Sequence, residues 1–112
     1  MQTTVYNATM KILKVKRTAT FTEWLRKLKN PVAVRSIQAR IARLRLGLFG
    51  DVKRLGNVSE IRIDIGPGYR VYFTLRGEVL VILLCGGDKR TQQQDIRKAH
   101  QMAEQKFDFE EE

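Results

Sequence analysis

The chain has 112 residues, 43% of them hydrophobic and dispersed in short runs, which bounds it to one domain with a modest core. No apolar stretch reaches the roughly 18 residues of a membrane span, the N-terminus lacks the charged-then-apolar pattern of an export signal, and a lone cysteine, Cys85, excludes an internal disulfide framework and fits a reducing cytoplasm. Lys and Arg number 21 against 12 Asp and Glu, a formal charge of +9, so the expected partner is polyanionic: nucleic acid first, an anionic membrane or an acidic protein next.

In chain order, residues 1–9 carry no period and are expected to extend the first strand or lie loose. The run M-K-I-L-K-V-K alternates Leu13 and Val15 with Lys14 and Lys16; it predicts a strand over 10–16, at or near a sheet edge where the lysines reach water. Thr20 followed by Glu23 fits a capping box, and Phe21, Trp24, Leu25 and Leu28 fall at helical spacing, predicting a helix over 21–29. Asn30-Pro31 supplies a cap and first-turn proline for a second helix that runs to 46 and stops at Gly47. Its buried stripe is Val34, Ile37, Ile41, Leu44 and Leu48, with Arg35, Arg40 and Arg43 off it.

Residues 52–55 predict a brief strand, and from Glu60 the period becomes two. Ile61, Ile63 and Ile65 share one face, Glu60, Arg62 and Asp64 the other. Gly66-Pro67-Gly68 turns the chain into a strand in which Tyr69, Val71, Phe73 and Leu75 alternate with Arg70, Tyr72 and Thr74. Arg76-Gly77 predicts a two-residue hairpin, and the unbroken apolar run from Val79 to Leu84 a strand covered on both faces. Gly86-Gly87 is expected to bend the backbone away from the sheet, and Thr91 to Gln94 to cap a last helix striped by Ile96, Ala99, Ala103 and Phe107. The order β-α-α-β-β-β-β-α predicts a single α+β domain spanning 1–112, a small twisted, mostly antiparallel sheet with helices packed on it, and an acidic tail over 108–112.

One His and one Cys at no ligand spacing cannot make a zinc site. His100 reads as a solvated or packed histidine, Cys85 as buried and inert, and G-G-D-K-R-T lacks the spacing of a phosphate-binding loop. A cationic set remains. Strand pairing could bring Arg62, Arg70 and Lys89 into one concavity, beside the start of the last helix at Thr91 to Gln93, where free N–H groups and the helix dipole suit a phosphate. The alternative is surface ion pairing, of Arg62 with Glu60 or Asp64 and of Lys89 with Asp88. Without metal, His or Cys nucleophile, RNA could still be cut by its own 2′-hydroxyl, with the cations stabilising phosphorane charge. Lys89 and Asp95 are then the candidates for proton transfer.

The runs S-E-I-R-I-D-I-G-P-G-Y-R-V-Y-F and L-L-C-G-G-D-K-R-T-Q-Q-Q-D-I, preceded by F-T-E-W-L and I-Q-A-R-I-A-R-L-R-L-G-L-F-G-D-V-K, resemble the HigB-like addiction module killer branch of the RelE/ParE toxin superfamily over residues 10–104. The resemblance implies a RelE-like fold, no cofactor, and metal-free cleavage of mRNA on the ribosome by a toxin that a cognate antitoxin neutralises. That antitoxin would be a small helix-turn-helix protein encoded next to it, forming a hetero-oligomer with the toxin. Carried over by motif, Arg70 in G-Y-R matches the phosphate-binding arginine, Arg62 lies in a strand that carries basic residues in such toxins, and Lys89 follows the last strand. The chain departs from the pattern at Asp95, near where RelE carries a tyrosine. Arg62, Arg70, Lys89 and Asp95 are thus the expected catalytic residues, and Lys53, Arg54, Arg90, Thr91 and Gln92 the expected RNA contacts, with further phosphate contacts from the arginines of the second helix. The competing readings are a ParE-like gyrase poison that cuts no RNA and a non-enzymatic basic binding module.

Overall fold

The computed structural model describes residues 12–77, 79–105 and 110–111. The elements are β1 (Lys14–Arg17), α1 (Ala19–Lys27), α2 (Pro31–Arg45), β2 (Val52–Leu55), β3 (Val58–Ile63), β4 (Tyr69–Arg76), β5 (Leu80–Asp88), α3 (Gln92–Glu104) and the two-residue β6 (Glu110–Glu111). Strands β2 to β5 form an antiparallel meander; β1 adds to β5 in parallel and β6 to β1 antiparallel, in the order β2-β3-β4-β5-β1-β6. This is the expected α+β architecture, with β6 added, and it is compatible with a RelE-like fold. The expected start of the first strand at Met10, the extension over 1–9, Phe107 and part of the acidic tail lie outside the described residues. Among the described residues no helix is long and apolar enough to cross a membrane.

The alternation in β3 and β4 splits the core in two. On one face Ile61, Ile63, Val71, Phe73, Val81 and Leu83 pack with Phe21 and Leu25 of α1 and Ala33, Ile37, Ile41 and Leu44 of α2. On the other, Val58, Tyr72, Ile82, Leu84 and Cys85 pack under Ala99 and Ala103 of α3. Strand β5 is the shared wall, and Val81, Ile82, Leu83 and Leu84 are each fully buried, as an uninterrupted apolar run requires. Leu13 and Val15 are buried as their alternation implies, and Asn30 caps α2 by accepting from the N–H groups of Val32 and Ala33. Gly47 ends that helix with φ +75°, a conformation glycine takes without a Cβ penalty.

Long-range contacts correct several local expectations. Helix α1 begins at Ala19, and its cap is Thr18 rather than Thr20. The Thr18 hydroxyl accepts from Phe21 N–H at 3.1 Å and donates to Leu84 C=O at 2.6 Å, tying the helix start to β5. Glu23 instead pairs with Arg26 and Lys27 on the exposed side. Leu48 is exposed because its helix ends at Arg45, so it no longer shares the helical stripe, and Leu75 is exposed next to the end of β4. Arg76 stands opposite Leu80, so Arg76 belongs to β4 and Arg76-Gly77 is not a two-residue hairpin loop; Gly77 follows at φ +65°, and Val79 is half exposed. Gly86 and Gly87 do not bend the chain out of the sheet. They continue β5 opposite Val71 and Arg70, and their missing side chains are filled from elsewhere: a Cβ at Gly86 would overlap the Trp24 ring, and one at Gly87 the Asp95 carboxylate.

Replacing Thr18 with Ala removes both the cap and a buried donor to β5. It is expected to cost about 1–3 kcal/mol, read as a lower denaturation midpoint at unchanged slope in urea.

Candidate functional site

The polar end of the α3-covered face is built from the strand register. Arg62 of β3 stands directly opposite Arg70 of β4, and Glu60 opposite Tyr72. All four project to the side that α3 covers, because they alternate with the isoleucines and valines of the other core. Glu60 is fully buried. One carboxylate oxygen, Oε1, accepts from Arg62 Nε at 3.2 Å; the other, Oε2, accepts from Tyr72 Oη at 3.0 Å and from Gln92 Nε2 at 2.8 Å. The Arg70 Nε lies 3.6 Å from Oε2, too long for a hydrogen bond, and makes none. Its guanidinium turns instead to donate from Nη1 to Gly68 C=O at 3.1 Å.

Burial pushes the Glu60 pKa upward, but the hydrogen bonds from Gln92, Arg62 and Tyr72 and the charge of Arg70 outweigh it and hold the carboxyl below its ordinary value. Burial, followed by the Glu60 charge and hydrogen bond, drives the Tyr72 phenol strongly upward, so it remains a proton donor to Glu60 across the physiological range.

The remaining cation and the helix start come from the turn after β5. Gly68 sits at φ +81°, and a Cβ there would lie 3.3 Å from Arg70 Nη1 and 3.8 Å from Lys89 Cβ. That backbone position therefore lies against both Arg70 and Lys89. Residues 89–91 form a 3₁₀ turn whose cap is Asp88, which accepts from Arg90 N–H at 2.8 Å and pairs with the Arg90 guanidinium. Asp88 is thus engaged by Arg90, not Lys89. The Thr91 side chain does not cap α3 as expected. Its hydroxyl donates to Asp95 Oδ2 at 2.6 Å, leaving the helix N-terminus without a side-chain cap. Asp95 leans into the space left by Gly87, the residue opposite Arg70.

The structure therefore gathers Arg62, Arg70, Lys89, Thr91, Gln92 and Asp95 at one end of the sheet. Lys53 is exposed and stands opposite Glu60, so it shares that face; Arg54 stands opposite Ser59 and lies on the other face, lining a cleft with Phe49 and Phe73. Arg40, expected among the exposed arginines of α2, is committed to backbone carbonyls: Arg62 at 2.8 Å, and Phe49 and Asp51 at 3.2 Å. Sequence reasoning missed Tyr72 and gave Glu60 only the role of a surface partner. The signal for both was the strand register, which sets a carboxylate and a phenol across from each other beside two opposed arginines. Elsewhere, His100 Nδ1 lies 3.2 Å from Asn57 Oδ1 and packs α3 onto the β2–β3 turn. The Cys85 thiol is pushed up to about 12 by burial and then by Asp95, which makes it a poor nucleophile.

Residues 23–108 match the family described as phage derived protein Gp49-like. An uncharacterised protein of Haemophilus influenzae is 52% identical over 94 residues, covering 83% of this chain and 95% of its own length. The chain belongs to the Gp49-like family. Gp49-like proteins are a family of RelE/HigB type, associated with the toxins of toxin–antitoxin modules. Membership in a toxin family implies an antitoxin partner and agrees with toxin-type endoribonucleases in general.

Because the folded Glu60 pKa is depressed, the stability it confers is fully present above the unfolded value of about 4.3. It is lost as pH falls through the lower folded value. Glu60→Gln, which leaves two arginines without their buried counter-charge, is expected to destabilise this Gp49-like chain by about 3 kcal/mol at pH 7. The gap between wild type and variant, measured by denaturant melts, should narrow steadily below about pH 4.

Proposed function

We propose that the chain is the HigB-like toxin of a type II toxin–antitoxin module and cleaves mRNA on the ribosome without a metal, inhibiting translation until a cognate antitoxin covers the site. The observation that carries the reading is the opposed pair Arg62 and Arg70, held on a buried carboxylate next to Lys89 and an uncapped helix start. Two guanidinium groups fixed side by side form a cradle for one phosphate, since planar N–H forks match phosphate oxygens and stabilise added charge in the transition state.

In this reading the 2′-hydroxyl of the RNA attacks the adjacent phosphorus. The 2′-O–P bond forms, the P–O5′ bond breaks, and the 5′-oxygen leaves with a proton taken from solvent water. Arg62, Arg70 and Lys89 neutralise the phosphorane. The half-buried Asp95, oriented by the Thr91 hydroxyl, is the carboxylate available to take the 2′ proton. Glu60 and Tyr72 are both fully buried, so neither reaches the substrate. Lys53 and Arg90, exposed on either flank, contact neighbouring phosphates. The basic site suits an acidic antitoxin segment, which would act by occupying the place of RNA.

Arg70→Ala is expected to lower cleavage of mRNA on programmed ribosomes by about 100- to 1000-fold. Arg26→Ala, which breaks an exposed pair on α1 over the other face, should leave it within about twofold. Mapping of mRNA 5′ ends after induction should show codon-linked cuts. Undiminished supercoiling by gyrase in the toxin's presence separates this reading from a gyrase poison.

A further inference from the structure

We propose that Glu60, with Tyr72 and Gln92 as its neutral donors, is the positioning residue that turns Arg62 and Arg70 into a single phosphate-binding unit; this rests on the reading of that pair given above. Like charges directly opposite each other on one face of a sheet are destabilising, and Arg62 and Arg70 occupy such a pair. The sheet supplies the compensation from within. Glu60 lies two residues before Arg62 on the same face, and its carboxylate takes Arg62 through Nε at 3.2 Å while standing 3.6 Å from the Nε of Arg70.

Both arginines therefore face Glu60 through the nitrogen nearest the stem. The terminal nitrogens are left uncommitted to Glu60, with Arg70 Nη1 on Gly68 C=O, and Arg70 Nη2 and the two Arg62 Nη atoms are the ones that would grip a phosphate. Glu60 is fully buried, so its influence passes through the arginines and not by contact with RNA. Its other oxygen is held by groups without charge, Tyr72 Oη and Gln92 Nε2. These satisfy the carboxylate without adding a third cation, and Gln92 ties the first turn of α3, with Thr91 and Asp95, to the strand that carries Arg62. A single buried group thereby sets the arginine geometry and the distance from strand cations to helix residues.

Removing the charge has two effects of opposite sign. Glu60→Gln raises the net positive charge of the site by one, which favours ground-state attraction of RNA. It also removes the anion that holds Arg62 by a hydrogen bond and Arg70 by charge, which weakens only what depends on alignment. In single-turnover and steady-state cleavage on programmed ribosomes, Glu60→Gln is expected to lower kcat by about 100-fold with KM unchanged or reduced. Tyr72→Phe keeps the charge and loses one hydrogen bond, and should lower kcat by about 3- to 10-fold with KM unchanged. Should Glu60→Gln not fold, Tyr72→Phe decides the matter, together with proton exchange at the Arg62 Nε–H group of the wild type, which its hydrogen bond to Glu60 predicts to be slow.

A Glu60→Gln kcat within twofold of wild type, a Tyr72→Phe variant with full kcat, or solvent-rate exchange at Arg62 Nε–H would each overturn the assignment. If Arg62→Ala and Arg70→Ala abolish cleavage while Glu60→Gln does not, the positioning role alone fails. If neither arginine variant affects cleavage, the phosphate reading fails, and slow Nε–H exchange would still report the Glu60 anchor.

Discussion

Two arginines facing each other across a pair of antiparallel strands are the constraint on which this structure turns, and a carboxylate with no exposure to water resolves it. Glu60 is expensive to bury, and a buried ion pair is by itself weak evidence for stability. Here the carboxylate receives three hydrogen bonds from three elements, β3, β4 and α3, and stands close to a second guanidinium. The arrangement spends folding energy on holding charges in place. Such use is more economical at a site that must meet a phosphate than in a core that only has to be filled.

The rest of the fold delivers that end of the sheet in one piece. Helices α1 and α2 cover the apolar rows of β3 and β4, so the residues that alternate with those rows are left to the α3 side. Helix α3 then covers only part of the second face, through the small residues Ala99 and Ala103, and ends its cover near Gln92. What lies beyond is the charged cluster. Glycines set the close distances: Gly86 admits Trp24, Gly87 admits Asp95, and Gly68, in a left-handed turn, lies against both Arg70 and Lys89. The Thr18 hydroxyl, bridging α1 and Leu84, joins the two layers through β5.

Much of this was legible in the residues. The alternation at Leu13 and Val15, the two-faced β3, the Asn30-Pro31 cap and the fully apolar β5 are local patterns, and local patterns set strand faces and helix ends. The cluster of Arg62, Arg70, Lys89, Thr91, Gln92 and Asp95 could be expected from strand order and the family motif together. The burial of Glu60 could not, because a charged residue alternating with isoleucine reads as the wet face until a helix far along the chain folds over it. The same holds for the cap at Thr18: Thr20 and Glu23 make the better local pattern, but only Thr18 also finds a carbonyl on β5. Leu48 and Leu75 fail in the opposite sense, since the helical stripe stops with its helix at Arg45 and Leu75 lies next to the end of β4.

Toxin family, basic sheet end and buried anchor meet in one proposal: Arg62 and Arg70 act as a unit on the scissile phosphate. A double-mutant cycle on the cleavage rate tests this most directly, using Arg62→Ala, Arg70→Ala and the double variant on ribosomes programmed with one message. The account predicts strong non-additivity, the double variant losing little more than the worse of the two single variants, because either loss already breaks the fork. A double variant whose loss equals the product of the two single losses would show two independent contacts and contradict it.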